Sequence, residues 1–220
     1  MNLQNIKAFI FDLDGTLIDT EKIYRKVWPK AIATMGKVMT DEQYLAMRSL
    51  GKPYNYDTIR EWYGEDFDYD EAKRIRKGYF DNYLKEHGMQ RKKGAIELLT
   101  YLKSRGYVTA IATATDMERA MEYIEMTGLT GHFDKVISAT MVEEGKPSPM
   151  VYEYASRELG LNVSECIAVE DAPNGITSAY RAGMQVVMVP DQSQPDDSIK
   201  PMLTACVDNL EEIISLIENI

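Results

Sequence analysis

The chain has 220 residues, with 25 Lys and Arg against 35 Asp and Glu, for a formal net charge of −10. That balance argues against a nucleic-acid partner, which needs a basic patch to displace counterions. It also means that an anionic substrate needs local compensation from a metal or a few placed cations. No apolar run is long enough to cross a bilayer, and the N-terminus lacks the charged-then-apolar pattern of a leader.

Cys166 and Cys206 are the two cysteines, so a disulfide scaffold is not expected, which fits a reducing cytoplasm. Cys166 opens an apolar run and reads as a small core residue. His87 and His132 are far apart, and no His/Cys cluster has zinc spacing.

The first element is the run Ala8-Phe9-Ile10-Phe11, apolar at every position and ending in Asp12-Leu13-Asp14-Gly15-Thr16. Such a run suits a strand buried on both faces of a parallel sheet. Asp12 then falls at the carboxyl end of the strand, where open α/β sheets carry their chemistry. Asp19 or Thr20 is positioned to cap a helix beginning near Glu21. From there to about His87 the apolar spacing is helical, punctuated by Gly36, Gly51-Lys52-Pro53 and Gly64. This block interrupts an alternating β/α chain and reads as an inserted domain.

Ala95 to Arg105 follows as a helix closed by Gly106. Tyr107 to Ala112 is a second buried strand, ending at Thr113-Ala114-Thr115. Thr115 and Glu118 have capping-box spacing, which predicts the next helix start. Lys135 to Ser138 is a third strand. Gly145-Lys146-Pro147-Ser148-Pro149 then offers Ser148 as cap and Pro149 as first helical residue. Cys166 to Val169 is a fourth strand, ending at Glu170-Asp171. A helix starts at Pro173 and stops near Gly183, Gln185 to Val189 is a fifth strand, and a last helix begins near Asn209.

Strands alternating with helices predict an α/β fold: a Rossmann-like parallel sheet core with an inserted α-helical domain. Right-handed crossovers put the strand ends on one edge. Asp12, Thr113, Lys146, Glu170 and Asp171 can therefore converge. Carboxylates around an oxygen-rich site suit Mg²⁺. A hydroxyl, a lysine and a helix N-terminus suit phosphate oxygens. Acids left over can serve as nucleophile and general acid, so the set points to phosphoryl transfer through an aspartyl-phosphate. Singly, each has a plainer reading: Thr113 as a helix cap, Lys146 as a solvated lysine, Glu170-Asp171 as loop acids favoured by a helix dipole.

In order, Asp12-Leu13-Asp14-Gly15-Thr16-Leu17, Thr113, Gly145-Lys146-Pro147 and Glu170-Asp171, with Asn174-Gly175 just after, resemble the haloacid dehalogenase superfamily of phosphotransferases. The helical block resembles that family's small cap, giving a core of residues 1–18 and 92–220 and a cap of 19–91. Among subgroups the likeness is to β-phosphoglucomutase and the sugar-phosphate phosphatases.

The resemblance implies that Asp12 attacks phosphorus. It implies that Asp14 protonates the leaving oxygen and later takes a proton from water. Thr113 and Ala114 would hold the phosphoryl group, and Lys146 would neutralise charge on it and on Asp12. Mg²⁺ would be held by Asp12, by Asp14 through its backbone carbonyl, and by Glu170 and Asp171. Asp14 argues against dehalogenase or phosphonatase relatives, which lack this acid. β-Phosphoglucomutase uses a histidine on the first cap helix to gate its general acid. Here no histidine precedes His87, and Tyr24 occupies that stretch, which favours hydrolysis.

The expectation is a Mg²⁺-dependent, monomeric cytoplasmic phosphatase of a small phosphorylated metabolite, with no nucleic-acid or membrane partner. A hexose-phosphate mutase and a non-catalytic binding protein are the alternatives. Tyr24, Arg25, Arg48 and Lys52 are the cap residues expected near substrate.

Overall fold

The structure is a computed structural model and describes residues 5–219, so residues 1–4 and 220, the outermost ends of the expected core segments, lie outside the described residues. The opening apolar run forms β1 (Ala8–Phe11), buried at all four positions. Four helices follow: α1 (Glu21–Thr34), α2 (Asp41–Met47), α3 (Tyr54–Tyr63) and α4 (Tyr69–His87). The chain re-enters the sheet layer beside its exit point, where Ile18 makes an antiparallel bridge to Arg91. Then come α5 (Ala95–Ser104), β2 (Val108–Thr113), α6 (Met117–Met126), β3 (Lys135–Ser138), α7 (Met150–Glu158), β4 (Cys166–Glu170), α8 (Pro173–Ala182) and β5 (Gln185–Met188). The chain closes with β6 (Ala205–Cys206) and α9 (Glu211–Glu218).

The six strands pair in parallel in the order β3-β2-β1-β4-β5-β6. This is the expected parallel α/β architecture, with β1 central. β6 is a strand that the sequence pattern did not reveal. Two residues, one of them exposed, carry no periodicity to read.

Because successive side chains on a strand point to opposite faces, the apolar runs feed two cores. Phe9 and Phe11, with Ile111, Ile167 and Val169, pack under α5 and α9, and that core continues into α1 and α4. Ala8 and Ile10, with Ala110, Ala112 and Ala168, pack under α7 and α8. Within the helical block, α1 lies along α4, with the rings of Tyr24 and Phe80 stacked at 4.5 Å. No helix among the described residues is long and apolar enough to cross a membrane.

Two helix starts differ from expectation for one reason. Thr20 sits at the start of α1 without a side-chain cap bond. The helix α6 is capped by Asp116, which accepts from the Arg119 amide at 3.0 Å, rather than by Thr115. Both threonine hydroxyls are turned to Asp14 instead. The helix α7 starts one residue later than expected, with Pro149 at its cap position.

Candidate active site

Pairing sets Phe11 level with Ile111 on one side and Val169 on the other. Asp12, Thr113 and Glu170 therefore leave the sheet at one edge. The Asp12 amide continues the ladder, donating to the Val169 carbonyl at 2.9 Å. Gly15, at φ +83°, turns the chain away; a Cβ there would lie 2.5 Å from Asp171 Oδ2. Gly175 serves a similar purpose at the start of α8, because a Cβ would lie 2.0 Å from Glu170 Oε1.

Lys146 is wholly buried and bridges two acids. Its Nζ donates to Asp12 Oδ1 at 2.5 Å and to Glu170 Oε1 at 2.6 Å. The Tyr152 hydroxyl donates to the same Glu170 oxygen at 2.6 Å. Arg48 Nη1 donates to Asp171 Oδ2 at 3.1 Å, and Nη2 donates to Ser193. Thr16 donates to the other Asp171 oxygen at 3.4 Å. Asp14 accepts from Thr20 at 2.6 Å and from Thr115 at 2.7 Å, one hydroxyl on each carboxylate oxygen.

The electrostatics follow from crowding acids out of water. Burial pushes the Asp12 carboxyl well above the usual carboxylate range, opposed by Lys146 and reinforced by Glu170 and Asp14. Burial does the same to Asp171, against the pull of Arg48. Burial works against the Lys146 charge, but Asp12 and Glu170 outweigh it and hold the ammonium above the ordinary lysine range. Glu21, buried in the wall of the same cavity with Tyr44 donating to it, is pushed up to about 7 by burial.

Lys146 and Arg48 leave one part of this charge unanswered. Asp12, Glu170 and Asp171 each offer an oxygen within 4.8 Å of the others. Asp12 Oδ2 and Glu170 Oε2 are buried with no hydrogen-bond partner among the described residues. Buried carboxylate oxygens left unpaired, converging and all-oxygen, fit a hard divalent cation such as Mg²⁺.

A cavity of about 520 Å³ opens beside these acids. Asp12, Asp14, Thr113 and Ala114 line its sheet end. Thr113 accepts from the Thr115 amide at 3.0 Å, which leaves its O–H proton available. Of the helical-block candidates, Tyr24, Arg48 and Lys52 all line the cavity. Arg48 is nonetheless committed to Asp171, and Arg25 is engaged with Asp41 at 2.7 Å and with Gln192. Sequence reasoning missed Thr20, Thr115 and Tyr152 as partners of the acids. Only Thr115 had a signal, lying one residue past the Thr113-Ala114 pair. It also missed Arg76, Lys73 and Asn55 in the cavity wall.

A parallel sheet that gathers a lysine-bridged acid cluster at its strand ends, beside a cavity, defines an α/β protein of the hydrolase type. More particularly, the chain belongs to the haloacid dehalogenase-like hydrolase family, whose model matches residues 9–189. Hexitol phosphatase A of Escherichia coli K12 is 31% identical over 183 residues, covering 83% of this chain and 82% of that one. A phosphorylated carbohydrates phosphatase of Thermotoga maritima is 27% identical over 188 residues, covering 82% and 83%. The crystal structure of β-phosphoglucomutase from Clostridium difficile superposes with a TM-score of 0.81 at 23% identity, covering 97% of this chain and 96% of that one, a likeness of fold.

Proposed function

We propose that this chain is a Mg²⁺-dependent phosphatase of a small phosphorylated metabolite, a sugar phosphate by class. The observation that carries the reading is the placement of Asp12, with one oxygen on Lys146 and the other unpartnered, between the cavity and Glu170 and Asp171. Family membership and the phosphatases among its relatives support it.

The chemistry runs in two displacements. The substrate phosphate enters against Thr113 and the Ala114 backbone. An Asp12 carboxylate oxygen forms a bond to phosphorus as the bond to the sugar oxygen breaks. Asp14, protonated at this step, gives its proton to that leaving oxygen. Water then attacks the aspartyl-phosphate and loses a proton to Asp14. The bond between phosphorus and Asp12 breaks, and inorganic phosphate leaves. Thr20 and Thr115 hold Asp14 in place through both steps. Lys146 opposes the burial that disfavours the Asp12 carboxylate and offsets charge on the phosphoryl group. Asp12, Glu170, Asp171 and the Asp14 carbonyl are the residues that would hold Mg²⁺, which supplies charge neutralisation between nucleophile and substrate.

Residues 19–91 are the proposed cap and the remainder the core. Closure of the cap over the cavity would exclude bulk water and select the sugar.

The test is to incubate the protein and Mg²⁺ with a panel of sugar phosphates, reading free phosphate and isomerised sugar phosphate together. Phosphate release that falls at least about a thousandfold in Asp12→Asn is expected. Isomerisation with little free phosphate would make the chain a mutase despite the tyrosine at position 24. Neither signal across the panel would favour a binding protein.

A further inference from the structure

The helical wall of the cavity is rich in cations, although the chain carries a net charge of −10. Lys52, Lys73 and Arg76 line it from the helical block, and Arg119 of α6 lines the same cavity from the core side. Two of the four are already answered. Lys73 pairs with Asp70 at 2.5 Å, and Arg119 pairs with Asp81 at 2.9 Å. The other two make no ion pair among the described residues. Lys52 lies over the Tyr56 ring at 5.0 Å. The Arg76 guanidinium lies over the rings of Tyr24 and Trp28, at 5.0 and 4.8 Å, and its Nε is buried with no hydrogen-bond partner among the described residues.

Ring faces attract a cation and fix its plane, but they accept none of its in-plane N–H bonds. A guanidinium held this way presents a fork of donors to whatever enters the cavity, the geometry that matches a phosphate or carboxylate. A buried donor without a partner is costly unless a ligand supplies one. Asn55 adds a matching feature: it lines the same cavity, and its Oδ1 is buried without a donor among the described residues. An amide oxygen of that kind suits a sugar hydroxyl.

We propose that Arg76, with Lys52, forms a second anion-binding subsite on the helical side of the cavity, so that the natural substrate is a sugar phosphate carrying a second anionic group. The phosphatase reading is what assigns the scissile phosphate to the Asp12 end. The second group is a phosphate or a carboxylate. It binds at Arg76 and is not the group that is cleaved.

Calorimetric binding to the Asp12→Asn protein tests the subsite without turnover. The probes are fructose 1,6-bisphosphate and 6-phosphogluconate, each against its singly anionic counterpart, fructose 6-phosphate and glucose 6-phosphate. The expected result is at least tenfold tighter binding of one doubly anionic probe, and which of the two is preferred identifies the second group. Adding Arg76→Gln should bring that ratio close to one, and Arg76→Lys should retain most of it. A ratio near one in the Asp12→Asn protein, or a ratio that Arg76→Gln leaves intact, overturns the subsite. The ratio in the Asp12→Asn protein stands as a test even if the double variant does not fold. Hydrolysis of p-nitrophenyl phosphate by the wild-type protein is read separately. Hydrolysis with no binding preference removes the subsite and keeps the phosphatase. Preference without any hydrolysis keeps the subsite and removes the phosphatase.

Discussion

Asp14 accepts one hydroxyl on each carboxylate oxygen, and the two threonines come from opposite parts of the fold. Thr20 stands at the entry to α1, and Thr115 stands in the turn after β2. In the proposed mechanism a general acid held this way needs no search before it meets the leaving oxygen. Thr115→Val should therefore lower kcat about tenfold or more toward a sugar phosphate. The loss should be smaller with p-nitrophenyl phosphate, whose leaving group needs no proton. Equal losses on both substrates would point away from a role at Asp14. Arg48 is committed to Asp171, so Arg48→Ala should leave that buried acid without its cation. The expected outcome is altered Mg²⁺ dependence of activity, measured as the metal concentration for half-maximal rate.

Glu21 offers a pH measurement at the same scale. Its folded value of about 7 lies above the ordinary 4.5, because burial disfavours the charged form. The folded state then binds the extra proton, so the stability that protonated Glu21 contributes is present below pH 4.5 and is lost as pH rises to about 7. The raised value corresponds to about 3 kcal/mol. Glu21→Gln cannot ionise. Chemical denaturation in metal-free buffer should show wild type losing about that much relative to the variant across this window. A constant difference between the two proteins would show that Glu21 does not titrate there.

At the scale of elements, the helical block meets the sheet layer at two glycines. The Gly51 amide donates to the Lys146 carbonyl at 2.8 Å, and the Gly145 amide donates to the Lys52 carbonyl at 2.7 Å. A Cβ on Gly51 would lie 2.6 Å from Gly145 Cα, so the two strands of loop approach as closely as side-chain-free backbone allows. Asn174 reinforces the contact from α8, donating to the carbonyls of Ala46 and Arg48. This latch sets the distance between Lys52 on one side and Lys146 on the other. Gly51→Ala should hold the two apart by an ångström or so and lower kcat/KM on the order of a hundredfold. Unchanged efficiency would show that the contact has no part in the working form. The motif Gly51-Lys52-Pro53 was legible as a break between helices, and Gly145-Lys146-Pro147 as a lysine before a helix. That the two face each other was not, because nothing in a local pattern marks a partner about 90 residues away.

For the whole molecule, the acid cluster is a cost that folding accepts. Three buried carboxylates meet at the sheet edge, with two cations to answer them. A divalent cation bound there should stabilise the fold by mass action, about 2.7 kcal/mol at a hundredfold excess over Kd. For a chain of this size that is a rise in Tm on the order of 5–10 °C. Scanning calorimetry with Mg²⁺ and with EDTA measures it, and Asp171→Asn should remove most of the difference. A Tm indifferent to Mg²⁺ would count against the metal site.

The sequence by itself determined the parallel sheet, the helical interruption after β1 and the identity of the acids and lysine at the strand ends. Those features are local: a run apolar at every position needs both faces covered, and a glycine or acid after it marks where the strand stops. Only the tertiary structure decided the partners. Thr20 and Thr115 have the residue types of helix caps, and their hydroxyls serve Asp14 because β1 and β2 lie side by side. Arg48 lines the cavity, as expected of it, but its ion pair with Asp171, 123 residues further on, had no local signal. Arg76 was an unremarkable helix residue until α1 placed two rings beneath it. Period and composition describe what one element needs to bury, whereas a hydrogen bond or an ion pair is settled by which elements the fold brings into contact.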